Sequence, residues 1–89
     1  MSLPAPDLAL AEVLATIRAE RGLSREALAF RSRTMPRTVV QIEGAEIVPR
    51  WDTVRRLARG LDVTLAELGD AVERREAAIR TGAGEGPVV

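Results

Sequence analysis

Apolar residues in this chain recur at helical spacing, and punctuation residues break the pattern into short segments. After Asp7, the run LALAEVLATIRAER places Leu10, Val13, Leu14 and Ile17 on one stripe and stops at Gly22. An N-cap aspartate, three-to-four spacing and a terminal glycine predict a first helix. Ser24 can cap a short second helix, REALAFRS, whose Ala27, Leu28 and Ala29 offer a small-residue face for close packing. A third helix is expected over about residues 36–43, since Pro36 suits a first helical turn, where its missing N–H costs nothing. Val39 and Ile42 then face inward together, while Arg37, Val40 and Gln41 fall on the opposite side.

The segment GAEIVPR reads as a loop, followed by a fourth helix from Trp51 to Gly60 with Trp51, Val54, Leu57 and Ala58 inward. Thr64 and Glu67 have the spacing of a capping box for a fifth helix, TLAEL. Residues 70–80 form a further amphipathic segment presenting Val72 and Ile79, with Leu68 just before it. The expected organisation is an N-terminal tail over 1–6, one domain over 7–69, the C-terminal amphipathic helix over 70–80 and a glycine-rich disordered tail over 81–89. The pattern contains no strand alternation, internal repeat or second domain, so the expected fold class is all-α.

At 89 residues the chain is large enough to bury roughly 60% of its unfolded surface and fold without staples. Cysteine, histidine and tyrosine are absent, which removes disulfides, thiolate and imidazole metal sites and the usual nucleophile–base pairs. The composition therefore points away from an enzyme and implies no cofactor and no metal. The N-terminus lacks a basic region, and Asp7 and Glu12 interrupt its apolar run, so neither a signal peptide nor a membrane span is expected and the reading is cytoplasmic.

The formal net charge is zero, but the charge is unevenly distributed: residues 17–59 hold ten arginines against five acids, or +5, between flanks of −2 and −3. All thirteen basic residues are arginine, whose forked guanidinium suits phosphate and guanine. A basic middle fits local phosphate binding, and it equally fits a run of solvated arginines.

The second and third helices, joined by Ser32-Arg33-Thr34-Met35, have the form of a helix-turn-helix. The runs IRAERGLSREALAF, TVVQIEG and IVPRWDTVRRLARGLDVTLAEL resemble, without a gap over about residues 13–68, the phage-repressor-type (Xre/Cro-like) helix-turn-helix family. The resemblance implies a compact five-helix, lambda-repressor-like domain that binds double-stranded operator DNA as a homodimer. It implies a structural ion pair between Arg18 and Glu43, and DNA-backbone contacts from Ser24, Arg25, Thr38 and Arg50. Pro36, Arg37, Val40 and Gln41 match base-reading positions, and Trp51 matches a hydrophobic position expected in the core. Arg37 and Gln41 also have the chemistry to bond guanine and adenine, and Val40 can pack on a thymine methyl.

The chain departs from the family pattern at the turn. Arg33 stands where glycine is common, which implies either left-handed strain or a different turn; Met35 replaces a capping Ser or Thr, leaving a bare start unless Thr34 supplies the cap. Ala27 cannot close a capping box with Ser24. The expected function is a sequence-specific transcriptional regulator, acting as a repressor. The alternative is an antitoxin-like or accessory module that engages a protein partner, which Val40, the neutral total and the acidic C-terminal segment favour. Dimer contacts are expected either from Leu61, Val63, Leu65 and Leu68 or from Val72 and Ile79, unless these residues only complete the core.

Overall fold

A computed structural model describes residues 7–81; the tail expected over 1–6 and residues 82–89 lie outside the described part. The described chain is all helical: α1 (Leu8–Glu20), α2 (Arg25–Arg31), α3 (Pro36–Glu43), α4 (Trp51–Gly60) and α5 (Leu65–Thr81). Helix α1 packs on α3 and α5, α2 packs on α3 and α4, and α4 packs on α5. The core between them contains Leu10, Leu14, Leu28, Val39, Ile42, Leu57 and Leu61, and Val13, Ala58 and Leu68 continue it beneath α5. Each of these large side chains contributes roughly 1.5–3 kcal/mol by leaving water.

Four helices end in one way. At the close of α1, α2, α3 and α4, an amide bonds the carbonyl five residues back: Leu23 to Arg18, Thr34 to Ala29, Glu46 to Gln41 and Val63 to Ala58. The residue before each of these amides is left-handed, with φ of +69° at Gly22, +53° at Arg33, +56° at Ala45 and +59° at Asp62. This is the Schellman closure, which satisfies orphan carbonyls and turns the chain sharply. Only the first uses glycine, so the other three each carry about 1 kcal/mol of backbone cost. Of the two readings at Arg33, the left-handed one holds.

The helix starts differ from one another. Asp7 Oδ1 accepts the Leu10 amide at 2.9 Å, and Ser24 Oγ accepts the Ala27 amide at 3.0 Å. Thr64 and Glu67 make both halves of a capping box, at 2.7 and 2.9 Å. Hydrogen bonding from Thr64, led by its amide, also holds the Glu67 carboxyl below its usual range. By contrast, Met35 and Arg50 open α3 and α4 with no side-chain cap. Thr34 does not supply the missing cap; the Thr38 amide bonds the Met35 carbonyl instead.

Three features depart from the sequence pattern. Residues 70–80 are not a separate helix: α5 runs unbroken through Gly69, because its first turn packs Leu68 into the core and Val72 follows on the same face. Thr81 belongs to α5 rather than to a disordered tail, and its hydroxyl donates to the Ala77 carbonyl at 2.9 Å. Trp51 is not in the core. It is 64% exposed, because as the first residue of α4 it projects past the packed turns and lies on the rim of a groove with Leu10, Leu65 and Val72.

Candidate nucleic-acid interface

Helix α3 is fixed from behind and open in front. Val39 and Ile42 are fully buried, which leaves Arg37 and Val40 exposed and Gln41 half-buried on the outer side. Residues at i, i+3 and i+4 share a helical face, so these three side chains form one outward patch about a turn long. Thr38 is half-buried beside it. The patch combines a forked cation, an amide with both donor and acceptor, and a methyl-bearing surface, the functional groups that base edges in a major groove accept.

The last turn of α3 is clamped. Glu43 accepts two bonds from Arg18, at 2.5 Å from Nε and 3.0 Å from Nη2, and a third from Arg25 Nε at 2.9 Å. Its side chain is 4% exposed and Arg18's 15%, while Arg18 Nη1 also bonds the Leu23 carbonyl at 2.8 Å. The bond to Glu43 raises the Arg18 pKa above its ordinary value, against the opposing effect of burial. One carboxylate thus ties α1, α2 and α3 together and sets the angle at which α3 is presented.

Arg25 belongs to this clamp, so it is not a free surface cation; with its side chain half exposed, it keeps unused N–H groups facing solvent. It lies at the last turn of α3 and Arg37 at the first, so cations bracket a helix about 12 Å long. Ser24 is exposed, and its hydroxyl oxygen is engaged at the start of α2. Arg50 is highly exposed and pairs with Asp52 at 3.3 Å, a surface contact worth less than about 1 kcal/mol that a phosphate could displace. Burial pushes the Asp52 carboxyl up, but Arg50 and Arg56 beside it outweigh this and hold it below its usual value.

Several features were not legible residue by residue. Phe30 is 87% exposed on α2 and Met35 68% exposed at the turn. The side chains of Arg31, Arg33, Arg56 and Arg59 gather around a cleft of about 380 Å³ at the α2–α3 turn. In the sequence these arginines register only as part of the net charge of residues 17–59. A cavity of about 620 Å³ between α1 and α5 is lined by both signs of charge, including Glu12, Arg74 and Arg75, and lies away from α3. Of the residues considered for a dimer contact, Leu61 and Leu68 are core, whereas Val63, Leu65, Val72 and Ile79 stay partly accessible. Among the described residues, no helix is long and apolar enough to cross a membrane.

A short helix closed by a tight left-handed turn onto a second helix with a polar outer face, all backed by three supporting helices, defines a helix-turn-helix domain. Residues 9–71 match the family model described as a helix-turn-helix domain, and the chain belongs to that family.

Solved structures agree on the fold. The clp gene regulator ClgR from Corynebacterium glutamicum superposes with a TM-score of 0.80 at 20% identity, covering 91% of this chain and 86% of that one. The wild-type restriction-modification controller protein C.Esp1396I gives a TM-score of 0.77 at 19% identity, over 84% of this chain and 99% of that one. The controller protein C.AhdI from Aeromonas hydrophila gives 0.67 at 29% identity, over 70% and 94%. No curated protein matches the sequence significantly.

Proposed function

We propose that the protein is a sequence-specific transcriptional repressor that binds a two-fold symmetric operator as a homodimer, with α3 in the major groove of each half-site. The observation that carries this reading is the outward patch of Arg37, Val40 and Gln41 on a helix whose other face is wholly buried. Arg37 would read guanine and Gln41 adenine, each good pair discriminating by roughly 1–3 kcal/mol, and Val40 would pack on a thymine methyl. Ser24, Arg25, Thr38 and Arg50 would hold phosphates and set the register. The regulator names of the structural neighbours support the reading.

Repression would follow from occupancy alone, with no chemistry, metal or cofactor, since the sequence lacks histidine, cysteine and tyrosine. The DNA partner would place the protein in the cytoplasm. Selection from a pool of random duplexes at near-physiological salt tests the proposal. Enrichment of an inverted repeat, lost in Arg37→Ala and Gln41→Ala at separate base positions, is the expected result; retention of no duplex even at low salt would overturn it. Binding should weaken steeply with salt, because phosphates release counterions when arginines neutralise them.

A second reading, an antitoxin-like or accessory module that binds a protein, is favoured by the exposed Phe30, Met35 and Val40 around the helix-turn-helix. A single stoichiometric protein partner, recovered with no duplex retained, is the outcome that would select it.

A further inference from the structure

We propose that the cleft where the C-terminal ends of α2 and α4 meet is an oxyanion site that takes a phosphate group. It has a volume of about 380 Å³ and is lined by Arg31, Ser32, Arg33, Arg56 and Arg59, with no carboxylate in its wall. Four guanidiniums around one small space repel one another unless an anion sits between them. Among the described residues, Arg31, Arg33 and Arg59 take part in no ion pair, and Arg56 has only Asp52, at 3.1 Å and half exposed.

Hydrogen bonding points to the same place independently. Two buried side-chain polar atoms have no partner among the described residues, Ser32 Oγ and Arg56 Nε, and both belong to residues of this cleft. Ser32 is only 2% exposed. Unpaired buried polar atoms are rare, and both of these can donate, the hydroxyl one proton and the guanidinium N–H another, from residues that line the cleft. Arginine forks around an oxyanion give short, charge-assisted bonds.

The wall is held by backbone. Arg31 Nε donates to the Gly60 carbonyl at 2.8 Å, tying α2 to the end of α4. A Cβ at Gly60 would come within 2.1 Å of Ser32 Oγ, so the glycine lets the two helix ends close on the serine. The site is separate from the Arg37–Gln41 patch. Two sources supply the same chemistry: a backbone phosphate of bound DNA, reached through Arg33 in the turn, or a free phosphorylated small molecule.

Calorimetric titration of the full chain with pyrophosphate at constant ionic strength tests the site. Saturable 1:1 binding is expected. It should weaken tenfold or more in Arg59→Gln and measurably in Ser32→Ala, and should be unchanged in Arg80→Gln, which removes the same charge on α5; thermal unfolding verifies that each variant folds. Absence of saturable binding, or equal weakening by Arg59→Gln and Arg80→Gln, would overturn the proposal. A short duplex titrated into the pyrophosphate-loaded protein then separates the sources: release of pyrophosphate identifies a DNA phosphate, and simultaneous binding identifies a free ligand. The first titration uses no DNA, so its result stands or falls apart from the operator reading.

Discussion

Helices α3 and α5 start in opposite ways. At α5, Thr64 and Glu67 exchange hydrogen bonds and satisfy two amides. At α3, Met35 offers no side-chain cap and Pro36 removes a donor, and the Thr38 amide turns back to the Met35 carbonyl. Helix α5 is secured at its entrance, whereas α3 is secured from behind by Val39 and Ile42 and at its far end by Glu43. Local sequence rules tend to fail where function competes with them, and under the proposed operator-binding role α3 follows that pattern. The start of α3 is thus closed by its own backbone, through the Thr38 amide and the Met35 carbonyl, rather than by a side chain.

The comparison can be broken most forcefully at the far end of α3. Glu43→Ala would leave the largely buried Arg18 guanidinium without its carboxylate and should cost about 3 kcal/mol or more, read as a lower urea midpoint. If α3 were instead held mainly by local helix propensity, the loss would be only a few tenths. Thr64→Ala removes the cap of α5 and should cost about 1 kcal/mol in the same assay. Met35→Asp gives α3 the cap it lacks. It should raise stability by about 0.5–1 kcal/mol while weakening DNA binding, because the added carboxylate would face phosphates.

The smallest effect concerns acid. Glu67 has its pKa lowered in the folded protein, so the unfolded chain takes up its proton first as pH falls. The capping contribution is complete above the unfolded glutamate value of about 4.3 and is lost as pH drops through the lowered folded value. Thermal unfolding of Glu67→Gln should therefore show a shallower fall in stability below pH 5 than the parent. An unchanged slope would mean that other carboxylates set the acid limit.

Much of the fold can be read from local signals. Asp7, Ser24, Thr64 with Glu67, Pro36 and Gly22 each announce a helix boundary with a chemistry of its own, and the structure uses each of them. Periodicity likewise identifies Val39 and Ile42 as inward and Arg37 and Val40 as outward. Trp51 misleads because helical spacing gives the direction of a side chain but not whether a neighbouring element reaches far enough to cover a first-turn residue. The merging of residues 70–80 into α5 is hidden by Gly69, a residue that usually marks a break but here costs only about 1 kcal/mol within a packed helix. Arg25's bond to Glu43 and the arginine cleft join residues far apart in sequence, and no local rule reports such meetings.

The four left-handed closures have a kinetic consequence. Each turns the chain sharply at a helix end, and the turn after α2 brings α3 directly against it. Contacts this local form quickly, on the order of microseconds to milliseconds in helical domains. The most distant partners are α1 and α5: α1 also packs on α3, but α5 begins at Leu65, 45 positions beyond Glu20. Leu10 and Leu14 can be covered by α2, α3 and α4 first, while the side of α1 that carries Val13 is completed by Leu68 only when α5 docks. Helix α5 is thus the element that closes the core over the longest loop of chain.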